Sequence, residues 1–233
     1  MSLWKILDHS KSFAKYIKAN GINSMERLQV KILHIDSSIL GENSCSRRIS
    51  AHVMARLADA YGDATIVYRD LAANPIPHLS PAYLAAAQGA TREHEPELLA
   101  DLAVSESVLQ EFLDADTVVL GVGFYNFSVP SQLKAWVDRI MVAHKTFRYA
   151  PDGSIEGLAG GKRVILCVAR GGFYSPGTPG ASVEHCETLL RGIFNFVGVT
   201  QVDTIEAEGL AVGPEHRAKG MAMAEEAIAR LPA

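Results

Sequence analysis

The chain has 233 residues, a formal charge of −4, 48% hydrophobic and 21% charged residues. This is the balance of an ordinary globular protein and excludes disordered, collagen-like and coiled-coil classes. The isoelectric point near 6.1 gives no basic surface for nucleic acid. Three cysteines, Cys45, Cys167 and Cys186, form no CxxC pair and no closed disulfide framework, as in a reducing compartment. No apolar run approaches a membrane span, so the expectation is a cytoplasmic protein without membrane insertion.

Residues 1–29 carry five basic residues against Asp8 and Glu26. Leu3, Leu7, Phe13 and Ile17 have roughly helical spacing, and Gly21–Ser24 is a stop. The segment reads either as an amphipathic helix docking on the body, a partner or a membrane surface, or as a leader outside the folded domain, with Met25 as an alternative start. The second reading is preferred, because chain ends are often poorly ordered. From Val30 the pattern is regular. Val30–Ile35 predicts a strand, Ser46–Tyr61 a helix with Ile49, Val53 and Leu57 on one face, and Thr65–Tyr68 a second strand. Asn74-Pro75-Ile76-Pro77 breaks the chain before a helix over Leu98–Leu113. Thr117–Val122 is apolar without alternation, the signature of a strand covered on both faces. Leu133, Trp136, Val137 and Ile140 mark a further helix, Pro151-Asp152-Gly153 a hairpin turn, and Arg163–Val168 a fourth sheet strand. The chain ends with a helix over Val183–Phe196, a strand over Val202–Ala207 and a helix over Glu215–Leu231.

Five strands alternating with helices predict an α/β fold, a flavodoxin-like doubly wound five-stranded parallel sheet with helices on both faces, as one domain over residues 30–233. In such sheets ligands bind beyond the carboxyl ends of the strands. After strand one, Asp36–Ser46 supplies hydroxyls and a helix start, an anion site needing no lysine; ordinary capping is the competing reading. GxGxxG is absent there. After strand three, Gly121–Pro130 places Phe124, Tyr125 and Phe127 within four residues. These are walls for a flat conjugated ring, or else a core cluster under a loop. After strand four, Ala169-Arg170-Gly171-Gly172-Phe173-Tyr174 offers a close backbone approach, or a plain turn. The eight histidines show neither HExxH nor paired spacing, so no metal is expected, and GxSxG is missing.

Ser37-Ser38-Ile39-Leu40, the run Arg69–Pro77 (RDLAANPIP), Tyr125-Asn126-Phe127, Pro130–Lys134 (PSQLK), Thr146–Tyr149 (TFRY), Arg170-Gly171-Gly172 and Ala207-Glu208-Gly209 stand in one order over one domain. In this the chain resembles the FMN-dependent NADH-azoreductases, bacterial flavoenzymes related to NAD(P)H:quinone reductases. The resemblance implies non-covalent FMN, NADH or NADPH as co-substrate, a quinone or azo acceptor, and a homodimer with active sites at its interface. It implies that Ser38, Ser44, Cys45 and Ser46 take the phosphate. Phe124, Tyr125, Asn126 and Phe127, with Ala169, Arg170, Gly171 and Gly172, would take the isoalloxazine. Phe147 and Phe196 would lie on the open face of the ring, Phe147 from the second subunit, with Phe173 and Tyr174 completing the substrate pocket. The flavin performs the chemistry by ping-pong hydride transfer, and no side chain is a catalytic nucleophile. The chain departs from the family at Gly123-Phe124, where Pro-Met is common, at Ala169, where Ser is usual, and at Phe173–Pro176, which replaces a His-containing loop. A flavodoxin-type electron carrier, or a flavin-binding sensor without its own substrate, is the alternative.

Overall fold

A computed structural model describes residues 29–89 and 95–232. Almost all of the expected leader lies outside the described residues.

Strands β1 (Lys31–Asp36), β2 (Thr65–Asp70), β3 (Thr117–Gly123), β6 (Arg163–Ala169) and β7 (Gln201–Ala207) form one parallel sheet in the order β2-β1-β3-β6-β7. The helices are α1 (Cys45–Tyr61), α2 (Pro81–Ala87), α3 (Pro96–Asp114), α4 (Ser131–Ile140), α5 (Glu187–Phe196) and α6 (Pro214–Ala229). Side chains alternate across a strand, and the two faces of the sheet become two cores. Leu33, Val118, Leu120, Val164 and Leu166 pack with Phe112 of α3, Trp136 of α4 and Phe194 of α5. Ile32, Val119, Ile165 and Ile205 pack with Ile49, Val53 and Leu57 of α1 and with Met221 and Ile228 of α6. Every residue of β3 is buried, which explains its unbroken apolar run. Each buried Val and Leu side chain of β3 contributes roughly 1.5–3 kcal/mol relative to exposure.

The hairpin expected around Pro151–Gly153 joins β4 (Phe147–Tyr149) to β5 (Ile155–Gly157), with Gly153 at φ +83°. Its base lies against the end of α5: a Cβ at Gly157 would stand 2.1 Å from the Gly198 nitrogen.

One expected helix is divided. The pattern predicts helix from Val183, whereas a 3₁₀ turn covers Pro179–Val183 and α5 starts at Glu187. Glu184 is the reason. Its carboxylate accepts from the Cys186 and Glu187 nitrogens at 3.0 and 2.8 Å and from Thr188 N at 3.2 Å. It thereby satisfies the orphan donors of the first turn, and helical periodicity cannot reveal such an interruption.

Candidate active site

Parallel strands deliver their following loops to one edge, so the loops after β1, β3 and β6 meet there. Ser37 N and Oγ both donate to the Gly121 carbonyl, at 3.0 and 2.8 Å. The next residue, Ser38, shares a 2.8 Å hydrogen bond with the Tyr125 hydroxyl, tying the β1 loop to the β3 loop. Gly41–Asn43 is a 3₁₀ turn, and Ser44 then caps α1 by accepting from Arg47 N at 3.3 Å. The Ser44 and Ser46 hydroxyls are 3.1 Å apart. Ser38, Ser44, Cys45 and Ser46 are all buried and gather at the start of α1, where the first backbone N–H groups have no partner within the helix and the dipole favours an anion.

The β3 loop is a tight turn. Tyr125 and Ser128 exchange two main-chain bonds of 3.1 Å, and Asn126 and Phe127 between them have φ of +47° and +72°. Positive φ at both central residues is the I′ geometry. Asn tolerates it, but Phe in this region costs roughly 1–2 kcal/mol, the kind of strain held at ligand sites. Phe127 is 47% exposed, so core burial does not account for it. Phe124 N donates to the Ala169 carbonyl at 3.0 Å. The Phe124 ring stands 4.5 Å from that of Tyr174 and 6.4 Å from that of Phe127. Gly123 makes room for this arrangement, because a Cβ there would lie 2.8 Å from the Tyr125 ring.

In the β6 loop, the carbonyls of Arg170, Gly171 and Gly172 accept from Leu210, Ala211 and Gly209 nitrogens at 3.2, 2.9 and 2.9 Å. A trans peptide points its N–H opposite to its carbonyl. The Gly171 and Gly172 N–H groups therefore face away from residues 209–211. The Arg170 side chain takes a different course from its backbone. It is 1% exposed, with Glu206 and Glu208 at 2.7 and 2.9 Å from one terminal nitrogen and Glu187 and Glu184 at 3.1 and 3.4 Å from the other. Burial disfavours its charge, but the hydrogen bond to Glu208 and the surrounding carboxylates outweigh that and raise its pKa. The backbone N–H of Arg170 donates to the Ala207 carbonyl at 2.8 Å, so the donors left facing away from residues 209–211 are those of Gly171 and Gly172. Burial likewise works against the Glu187 carboxylate, yet hydrogen bonds from Arg191 and Thr204 hold it below the usual range.

The remaining expected pocket residues separate. Tyr174 joins the Phe124 group, while the Phe173 ring turns toward α6 and lies 5.7 Å from His216. Phe147 is nearly buried and packs 4.8 Å from Phe196 and 5.6 Å from Tyr149, a second aromatic group on the hairpin. Cavities of about 430 and 510 Å³ flank the β6 loop on its β7 side. Neither is lined by a β1-loop residue, so neither is formed between the three loops. Sequence reasoning gave Glu206 no role and named Glu208 only within the Ala207-Glu208-Gly209 motif; their spacing of two, at and just past the end of β7, was the available signal. It named Asp36 and Asp70 only within longer runs, without roles, and did not name Arg47.

A doubly wound sheet with an anion-ready helix start beside an aromatic turn defines the flavodoxin-like class of mononucleotide-binding α/β proteins. A family model described as flavodoxin-like fold matches residues 30–231. An FMN-dependent NADH:quinone oxidoreductase of Xanthomonas campestris pv. campestris is 58% identical over 203 residues, covering 87% of this chain and 100% of that protein. A second protein so named, from Bradyrhizobium diazoefficiens, is 52% identical over 204 residues, covering 88% and 100%. Among solved structures, an FMN-dependent NADH-azoreductase from Bacillus anthracis in complex with FMN superposes with TM-score 0.77 at 28% identity, covering 87% of this chain and 99% of that one. An azoreductase from Bacillus anthracis str. Sterne gives 0.76 at 30%, covering 86% and 98%. The chain belongs to this flavodoxin-like family of FMN-dependent NADH:quinone oxidoreductases and azoreductases.

Proposed function

We propose that the protein is an FMN-dependent NADH oxidoreductase that reduces quinones and azo compounds. The observation that carries this reading is the Ser38–Tyr125 hydrogen bond, which joins the hydroxyl-rich start of α1 and the aromatic turn into one cleft. The donor set suits FMN. Buried Ser44 and Ser46 hydroxyls and the first N–H groups of α1 would hold the phosphate, with Ser38 and Cys45 shaping the loop. Phe124, Tyr125, Asn126 and Phe127 would border the ring, with the backbone of Ala169, Arg170, Gly171 and Gly172 at its polar edge.

When bound, FMN supplies a ring that accepts a hydride from NADH and passes two electrons to the acceptor. The chain binds and orients that ring, and no nucleophile or metal ligand is required of it. Tyr174 and the exposed Phe127 border the place where donor and acceptor stack in turn. A homodimer would bring Phe147 and Phe196 to the ring's open face. The hairpin supports this reading by exposing Tyr149, Ile155 and Leu158. The catalytic domain is residues 30–233 and the location cytoplasmic; no helix among the described residues is long and apolar enough to cross a membrane.

The test is steady-state kinetics of FMN-loaded protein with NADH or NADPH and with a benzoquinone or an azo dye. Turnover of NADH with both acceptors is expected. Stable one-electron reduction with negligible NADH oxidation would instead identify a carrier. A fully active monomer on gel filtration would remove the dimer.

A further inference from the structure

Arg47 has five N–H donors, and all five are occupied. Nε and Nη2 donate to the Ser38 carbonyl at 3.2 and 2.8 Å. Nη1 and Nη2 donate to the two oxygens of Asp70 at 2.7 Å each, and Nη1 also reaches the Tyr68 hydroxyl at 3.3 Å. Asp70 is itself fixed at the end of β2, because its Oδ1 accepts from the Ala72 and Ala73 nitrogens at 3.0 and 3.1 Å. Behind the pair, Asp36 takes hydrogen bonds from Ser50 and Tyr68 at 2.8 and 3.1 Å. Meanwhile the backbone N–H of Arg47 donates to Ser44 Oγ. Residue 47 therefore touches the loop of residues 38–44 at both ends, at Ser38 with its side chain and at Ser44 with its main chain.

A cation beside an anion site is ordinarily read as a ligand for that anion. A guanidinium with no free donor is not one. We propose that Arg47 and Asp70 are positioning residues: Asp70 anchors the guanidinium to the end of β2, and the guanidinium holds the Ser38 carbonyl so that the β1 loop keeps a phosphate-accepting shape. The inference rests on the flavin reading above. It assigns the phosphate end of the cofactor to a rigid neutral clamp rather than to a positive charge. Lysine cannot replace Arg47, because only the planar fork reaches two acceptors at once.

The experiment compares binding of FMN and riboflavin, which differ only in the phosphate, by flavin fluorescence. The proteins are the wild-type chain and the variants Arg47→Ala, Arg47→Lys, Asp70→Asn and Arg47→Ala/Asp70→Asn, each checked for folding by circular dichroism. Each single variant is expected to weaken FMN by about tenfold or more, the scale of a lost charge-assisted hydrogen bond, while riboflavin changes by less than about twofold. The double variant is expected to be no weaker than the worse single one, as for groups acting through one contact. Three results would overturn the proposal. In the first, Asp70→Asn leaves FMN binding unchanged or tighter while Arg47→Ala weakens it, which would make Arg47 a direct ligand. In the second, Arg47→Lys retains full FMN affinity. In the third, FMN and riboflavin weaken in equal proportion, or the variants do not fold, which would make the clamp a general support of the domain. Failure of the wild-type chain to bind either flavin would instead refute the flavin reading itself.

Discussion

Two arginines stand behind the loops of the cleft, Arg47 behind the β1 loop and Arg170 within the β6 loop, and their surroundings differ in charge. Arg47 is hydrogen-bonded to one carboxylate, Asp70, lies 3.9 Å from a second, Asp36, and holds a main-chain carbonyl. Arg170 sits among four, Glu184, Glu187, Glu206 and Glu208, with Arg191 nearby to balance one of them. Both surroundings therefore hold more carboxylates than guanidinium groups, and the excess is larger around Arg170.

The largest expected effect breaks the Arg170 cluster. Arg170→Ala leaves buried carboxylates uncompensated and should destabilise the fold by about 3–5 kcal/mol, measured by denaturant unfolding. Glu206→Gln removes one carboxylate from an excess and should cost under about 1 kcal/mol. Equal losses for the two would mean that the cluster works as separate pairs.

At the Arg47 end, a Cβ on Gly121 would come within 2.1 Å of the buried Asp36 Oδ1. Gly121→Ala should cost about 1–3 kcal/mol through overpacking and displace Asp36 from Ser50. A wild-type melting temperature would show that the carboxylate has room to move.

Between the two ends lies the strained turn. Phe127→Gly should raise stability by about 1 kcal/mol by relieving the positive φ while weakening flavin binding. A variant that is both more stable and equally tight in binding would show that the strain serves nothing at the ring.

The smallest effect concerns acid. Asp70 is held below the usual carboxylate range first by its hydrogen bond from Arg47 and further by those from the Ala73 and Ala72 nitrogens, against the opposing effect of burial. Asp36, Tyr68 and His34 are the other titratable groups of this network. A depressed carboxylate contributes stability above its unfolded pKa, near 3.9, and loses it as pH falls through the folded value. The stability difference between wild type and Asp70→Asn should therefore be constant from neutrality to about pH 5 and vanish in stronger acid. A difference that already changed near pH 7 would show that a group other than the Asp70 carboxylate carries the effect.

Much of the frame was legible in the sequence. Unbroken apolar runs at Thr117–Val122 and Arg163–Val168 identify buried parallel strands, because no other element of that length is covered on both faces. Their alternation with helices gives the sheet, and the sheet gives the edge where loops collect. Ser38, Ser44 and Ser46 could be picked out because hydroxyls cluster beside a helix start, and Phe124, Tyr125 and Phe127 because aromatics are scarce in this chain. The division at Glu184 could not be read, since a side chain that caps a helix leaves the periodicity intact. The clamp could not be read either. Arg47 and Asp70 are 23 residues apart on different elements, and charged residues so placed ordinarily belong to solvent.

Local periodicity, then, determined which segments are strands and helices and where their tips gather, because burial on one or two faces writes itself into residue order. Only the tertiary structure decided what the arginines do. Whether a guanidinium meets a ligand, a carbonyl or four carboxylates depends on which strand ends lie side by side, and pairing across the sheet leaves no trace in the order of residues along the chain.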